Sequence, residues 1–424
     1  MIEKPKLFLT LKEFWLVVLF FLFLFSIRLS FIYVEYRDFV QKEFYFTHVE
    51  VLQAYKKEKN GKVYTILRVH SPELDLNFFT RTYKENNFLG HRLRLKLFPY
   101  KKMTFWGYLG TSFIASKINA IYPPSKNLKS LLLEKISVQH QNPQISNFYY
   151  AIFLATPLDK KLRNQVSLLG VSHLIALSGF HLGILWWVLF FLFRPLYRLV
   201  QQRYFPYRFD VIDVGLFVLV LLGSYVWFVD SPASLLRSYT MMVMGWGVLI
   251  FGMELLSFTF IATMIMVLLL LFPKMLLSLA FWFSVMGVFY IFLLVERFKR
   301  LNKLMMMLLI SFGIFVLMLP IAHLIFPVTT TLQFFSPFLS LAFTPFYPLS
   351  ILAHLVGYGG VFDDLLLSLF SLESKSWSVK LEMIYGVVYL ILSFGAIYSR
   401  WLFYLLFMVA IGFMGWMFFG ASNC

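Results

Sequence analysis

Leu169-Gly-Val-Ser-His-Leu-Ile-Ala-Leu-Ser-Gly-Phe-His-Leu-Gly-Ile184 sets two histidines, two serines and three glycines into an otherwise apolar run. A charged side chain at the bilayer centre costs about 2.5–3.5 kcal/mol on insertion scales, so polar residues in such a run are expected to face protein or water. On a continuous helix Ser178 and His181 share a face at i and i+3, and His173 falls within a quadrant of His181, because eight residues make about 2.2 turns. Ala176, Gly179 and Gly183 would give that helix a seam of small residues. One reading is close helix packing along the seam, with hydroxyls bonded back to carbonyls. Another is a helix broken near Ser178-Gly179, whose freed amides and side chains line an aqueous path. A third, a serine hydrolase with Ser178 activated by His181, lacks an orienting acid nearby.

Composition places this stretch in a membrane. The 424 residues are 60% hydrophobic, 20% aromatic and 14% charged, with a mean hydropathy of +0.75, well above the roughly 45–50% apolar usage of soluble domains. The expected fold class is mainly α, a polytopic transmembrane helix bundle with interfacial amphipathic helices and a small extracytoplasmic β-barrel module of oligonucleotide-binding (OB-like) type. Four segments are expected: an N-terminal transmembrane helix (1–32), the OB-like module (33–125), amphipathic interfacial helices (126–171) and a polytopic domain (172–424). The formal charge of +17 reflects either an anionic partner or basic cytoplasmic loops. Cys424 is the single cysteine, so neither an intrachain disulfide nor a cysteine metal site can form. The 51 phenylalanines read as lipid-facing surface.

Lys4, Lys6 and Lys12 precede an apolar run over residues 14–27, and Phe25-Ser-Ile-Arg-Leu-Ser30 offers no small-x-small cleavage site. The run reads as an uncleaved helix with a cytoplasmic N-terminus. Residues 35–135 then carry 18 Lys and Arg against 9 Asp and Glu. Strands are expected over 44–55, 62–69, 78–83 and 91–98, with an Asn60-Gly61 hairpin turn and, in the last, Arg92, Arg94 and Lys96 opposite Leu93, Leu95 and Leu97. Phe78, Phe79, Arg81, Tyr83, Arg92, Arg94 and Lys96 are the candidates for stacking bases and binding phosphates, against the alternative that they form a merely solvated face. Residues 126–136 read as an interfacial helix, from Lys126. A second interfacial helix starts at Thr156-Pro-Leu-Asp159, with Thr156 as cap and a Leu158, Leu162, Val166, Leu169 stripe, and ends at Gly170.

Residues 172–193 are long enough to span, and Arg194, Arg198, Arg203 and Arg208 put their end in the cytoplasm. Crossings follow over 211–229, 235–251, 257–272, 276–295 and 304–326, with a second basic run from Arg297 to Lys303. Residues 383–398 and 401–419 form a last pair. Between Pro327 and Glu382 the prolines Pro337, Pro345 and Pro348 fit either a re-entrant loop or two short crossings. Ser231-Pro-Ala-Ser-Leu-Leu-Arg237 reads as a helix start that sets Arg237 more than one turn inside the membrane, there either to snorkel or to face a phosphate in a cavity. No P-loop and no His-Glu-x-x-His or comparable metal motif occurs; no catalytic residue, cofactor or metal is expected.

Gly170-Val-Ser-His173-Leu-Ile-Ala-Leu-Ser178-Gly179-Phe-His181, preceded by the amphipathic helix and followed by Ser231-Pro-Ala-Ser-Leu-Leu-Arg237, resembles the ComEC-type competence DNA-uptake channel family. The order of segments is similar too, over nearly the whole chain. The resemblance implies passage of single-stranded DNA across the bacterial cytoplasmic membrane in natural transformation, with His173, Ser178, Gly179, His181, Pro232 and Arg237 as family-pattern residues and candidate channel lining. It implies partners as well: single-stranded DNA, the lipid bilayer, a cytoplasmic motor or DNA-binding proteins, an extracytoplasmic DNA receptor and a possible homo-oligomer. The family's Phe-x-Leu-Ser segment stands here as Phe281-Trp-Phe-Ser284. Many relatives carry a C-terminal metallo-β-lactamase-like domain absent from this chain, so strand degradation is expected to fall to another protein or not to occur. The alternative function is a transporter or flippase for a small or lipid-linked anion.

Overall fold

Thr10 caps the first helix by accepting a hydrogen bond from the Glu13 amide (3.3 Å), and α1 (Leu11–Gln41) runs for 31 residues. At 1.5 Å per residue that is about 46 Å, well beyond the roughly 30 Å hydrocarbon core. Its far end enters a sheet, with Ile32 and Phe39 buried in the sheet's core and the Tyr36 hydroxyl donating to the Met103 carbonyl (2.5 Å). The computed structural model describes residues 7–8, 10–59, 61–84, 88, 90–99, 103–123, 128–252 and 257–420. Lys4, Lys6, Asn60, Lys126 and Cys424, used in the sequence reading, lie outside them.

Two compact units divide the chain: Thr10–Leu131 with Thr263–Phe281, and Leu132–Ala262 with Trp282 onward. The first holds β1 (Tyr45–Lys59), β2 (Lys62–Ser71), β3 (Leu76–Thr82), β4 (Arg92–Phe98), α2 (Phe105–Leu109), β5 (Ser112–Phe113) and β6 (Ala115–Tyr122). These strands form one six-stranded sheet in the order β5-β3-β2-β1-β4-β6. Leu93, Leu95 and Leu97 are wholly buried while Arg92 and Arg94 are exposed, as the period-two alternation requires.

The expected OB-like barrel is not what forms. The sheet is open: its edges are β5, a two-residue strand parallel to β3, and β6, and among the described residues no ladder joins the two edges. A two-residue edge offers too few backbone groups to carry closure, which needs staggered pairing all round the ring. Phe78 is a second correction, because it is wholly buried in the core with Leu76 and Val69 and presents no stacking face.

The remaining elements are helical: α3 (Leu128–Ser137), α4 (Pro143–Leu154), α5 (Lys160–Leu168), α6 (Ser172–Ile175), α7 (Gly179–Tyr204), α8 (Asp210–Phe228), α9 (Ala233–Ile250), α10 (Phe258–Leu271), α11 (Leu279–Arg297) and α12 (Lys303–His323). After a short strand, β7 (Val328–Thr330), come α13 (Ser336–Val356), α14 (Asp363–Phe370), β8 (Ser376–Ser378), α15 (Met383–Tyr398) and α16 (Arg400–Gly415). Among the described residues seven helical segments are long and apolar enough to cross a membrane, with two shorter apolar helices besides. The protein is a mainly α, multi-span helical bundle carrying a small open sheet.

Asp159, not Thr156, caps α5, accepting from the Leu162 amide at 2.6 Å. Leu162, Val166 and Leu169 are buried as the stripe predicts, and Gly170 ends the turn at φ +69°. The α7–α8 hairpin is clamped by Arg208, which grips Asp213 with two contacts of 2.7 and 2.8 Å, and by Arg194 on Asp210 at 2.8 Å. Between Pro327 and Glu382 the chain makes one 21-residue helix and an 8-residue return, and the pairing of β7 with β8 brings the two ends of this excursion together.

Candidate functional site at a broken helix

The opening stretch is not one helix. The short α6 stops at Ile175, Ala176 turns extended (φ −64°, ψ 117°), and Ser178 is fully extended (φ −139°, ψ 179°) before α7 begins at Gly179. Such a break frees backbone groups that must find partners in a low-dielectric surrounding. Ser234 of α9 supplies one, its hydroxyl donating to the Leu177 carbonyl at 2.7 Å. The His181 ring supplies another: the Ser178 amide donates to Nδ1 at 3.3 Å, the reach-back half of a capping box with histidine in the place of Glu or Gln. The two polar motifs, far apart in sequence, therefore hold each other.

Gly179 is a packing residue. A Cβ there would stand 2.9 Å from Ser238 Oγ and 3.0 Å from its Cβ, so glycine lets α7 and α9 meet. At Gly183 a Cβ would touch nothing, and the supposed small-residue seam does not extend that far. His181 is wholly buried, with Phe343 and Tyr347 of α13 set edge-to-face at ring distances of 5.2 and 4.7 Å. Its Nε2 makes no hydrogen bond of good geometry.

Ser172, His173, Ala176 and Phe180 keep open surface on the same stretch. Beside them lies a cavity of about 320 Å³, within the size range of ligand sites, lined by Ser172, Ala176 and Leu177 of the first motif and by Pro232 and Ser234 of the second. Thr156 and Arg163 complete its polar lining, and Thr156 Oγ1 is buried there without a partner. Of the six family-pattern residues, Ser178, Gly179, His181 and Pro232 converge on the break. His173 stands open on α6, and Arg237 is buried one helical turn past Ser234. Sequence reading missed Thr156 as a cavity wall, Ser234 as the hydrogen-bond partner of the break and Ser238 as the neighbour of Gly179; for Ser234 alone, its place in the Ser-Pro-Ala-Ser start signal was a clue.

In the sheet unit, Arg92, Arg94 and Lys96 line the outer side of β4 opposite Glu50, His48 and Phe46 of β1. Lys96 Nζ sits 3.8 Å over the Phe44 ring and within 6 Å of Phe46 and Phe98, and Arg94 lies 5.6 Å over Phe46. Phe44, Phe46 and Phe98 are each at least 40% exposed; these aromatics escaped the sequence reading although β1 and β4 alternate in phase. Phe79, Arg81 and Tyr83 lie on or just past β3, separated from this row by β2 and β1. Opposite Arg94, His48 Nδ1 lies 2.9 Å from Glu73, and that hydrogen bond, helped by Thr47, lowers the Glu73 carboxyl below its ordinary range.

Among the comparisons with known proteins, the family described as Competence protein matches residues 155–422. No curated protein and no solved structure shows a significant match. The matched residues begin at the turn before α5, include both motifs and the cavity between them, and make up well over half the chain. The chain therefore belongs to the Competence protein family, of ComEC type.

Proposed function

We propose that the protein passes single-stranded DNA across the bacterial cytoplasmic membrane, acting as a channel and not as an enzyme, with its N-terminus in the cytoplasm. The observation that carries this reading is the cavity at the broken helix, walled by both polar motifs. A strand bearing one charge per nucleotide cannot enter hydrocarbon and needs a wet, polar conduit. Ser172, Ser234, Thr156 and Arg163 offer hydroxyl and guanidinium groups for such a lining. The cation-aromatic row of Phe44, Phe46, Arg94, Lys96 and Phe98 suits a strand that presents phosphates and bases together. Basic residues after α7 and between α11 and α12 support the orientation.

The test is uptake of labelled DNA by cells carrying Ala176→Trp, which fills the cavity from its own wall. The variant is expected to insert at normal levels and to lose uptake and transformation. Undiminished uptake would overturn the reading. For the receptor face, Lys96→Glu in the purified full chain is expected to weaken oligonucleotide binding and to reduce its logarithmic salt slope by about 1.

A further inference from the structure

Away from the broken helix, three ionisable side chains from different parts of the sequence meet at one point. His140, in the turn between α3 and α4, has Nδ1 2.9 and 3.0 Å from the two carboxylate oxygens of Asp363, the first residue of α14. Its other nitrogen, Nε2, lies 2.9 Å from Nε2 of His354 near the end of α13, and His354 Nδ1 lies 2.7 Å from the Ser350 carbonyl. That spacing is the length of a hydrogen bond and is shorter than the roughly 3.3 Å between two nitrogens on a tetrahedral metal at about 2.0–2.1 Å.

Counting protons decides what the cluster is. The Ser350 carbonyl can only accept, and so can an ionised Asp363, so the three contacts need three protons in all. Two neutral imidazoles bring two. The third must come from water, and with it the cluster has no net charge, which suits a group where the His140 side chain is wholly enclosed. The proton belongs to the cluster and not to one ring. Tyr149 of α4 stacks on His140 at 4.7 Å and 11° and meets His354 at 4.4 Å, and Phe153 stands edge-on to His354 at 5.0 Å. The face of Tyr149 stacked on His140 favours a cationic ring there. Asp363, 19% exposed, is the route to solvent. Tyr149 is the one further titratable group among the described contacts of the three.

We propose that His140, His354 and Asp363 form a proton-binding site whose occupancy pins the end of α13 to the turn before α4. Gln139 works beside it: its Nε2 donates to the His354 carbonyl (3.2 Å) and its Oε1 accepts from the Gly359 amide (2.8 Å). Loss of the extra proton leaves one of the three contacts as two facing acceptors and opens the joint. The same helix carries Phe343 and Tyr347 against His181, so proton occupancy bears on the broken helix. This last link rests on the channel reading; the site itself does not.

The test is hydrogen exchange on the full chain in detergent, with protection corrected for intrinsic exchange at each pH. In the wild type, protection of the amides around residues 354–363 is expected to fall about tenfold or more as pH rises and the cluster loses its extra proton. Asp363→Asn supplies the third proton permanently from its carboxamide, so protection should stay high at every pH. His354→Phe keeps the aromatic packing but removes the ring nitrogens, and protection should be low at every pH. A flat wild-type profile, or an Asp363→Asn profile that follows the wild type, would overturn the proposal. If the asparagine variant does not fold, the contrast between wild type and His354→Phe decides. No DNA is present, so the outcome is independent of whether the chain conducts a strand.

Discussion

Replacing Gly179 with alanine pits two effects of known size against each other. Helix propensity favours alanine by at most about 1 kcal/mol, and by less at the first helical position. Against it stands the contact of the new methyl with Ser238, at 2.9 and 3.0 Å. Ser238 cannot retreat freely, because its hydroxyl donates to the Ser234 carbonyl at 2.9 Å and Ser234 in turn holds the Leu177 carbonyl. Overpacking of this kind costs about 1–3 kcal/mol, so a net loss of roughly 1–2 kcal/mol is expected. The assay is denaturant titration of the full chain in detergent micelles, run as a double-mutant cycle with Ser238→Gly, which removes both atoms in the way. Restoration in the double variant, with a coupling of about 0.5–3 kcal/mol, would identify the α7–α9 contact as the cause. A neutral or stabilising Gly179→Ala with no coupling would refute it and return the glycine to a backbone role.

Within β4, Leu95→Ala is expected to cost about 2–5 kcal/mol as a wholly buried leucine, whereas neighbouring Arg94→Ala should stay within about 0.5 kcal/mol; equal effects in the same titration would contradict the inward and outward alternation. The Glu73 carboxyl, held low by its His48 hydrogen bond, contributes stability above the ordinary glutamate range that is lost as acidification passes its lowered value. Glu73→Gln should therefore flatten the acid limb of the stability profile and leave the neutral region little changed; an identical acid limb would show that the carboxyl contributes nothing there.

Much of the architecture was readable because burial and period agree. The leucines of β4 and the Leu162-Val166-Leu169 stripe face where their spacing points, and the apolar runs expected to cross are helical in α8, α11, α12 and α15. Phe78 was readable but misassigned: Leu76 and Phe78 alternate inward while Asn77, Phe79 and Arg81 alternate outward. β6 was harder, since Ala115-Ser-Lys-Ile-Asn-Ala-Ile-Tyr122 has little apolar contrast and owes its pairing to β4. The cap of α5 went to Asp159 because a carboxylate two residues beyond Pro157 outcompetes a threonine before it. In the motif, serine and glycine fit a packed seam as well as a break, and only the partner hydroxyl of Ser234 settles the difference. The meeting of His140 with Asp363 spans 223 positions, beyond any local pattern.

A helix that leaves the bilayer and ends inside a sheet has no swivel. Ile32, Tyr36 and Phe39 lock the upper turns of α1 to the strands, so the azimuth of the sheet is set by the rotation of the helix below it. Adding one residue near Ser30 would turn the whole sheet by about 100° and lift it by about 1.5 Å, whereas adding seven would return its bearing to within about 20° at a height about 10 Å greater. The first helix is thus a keyed shaft as well as an anchor, and its length in residues is a direction as much as a distance.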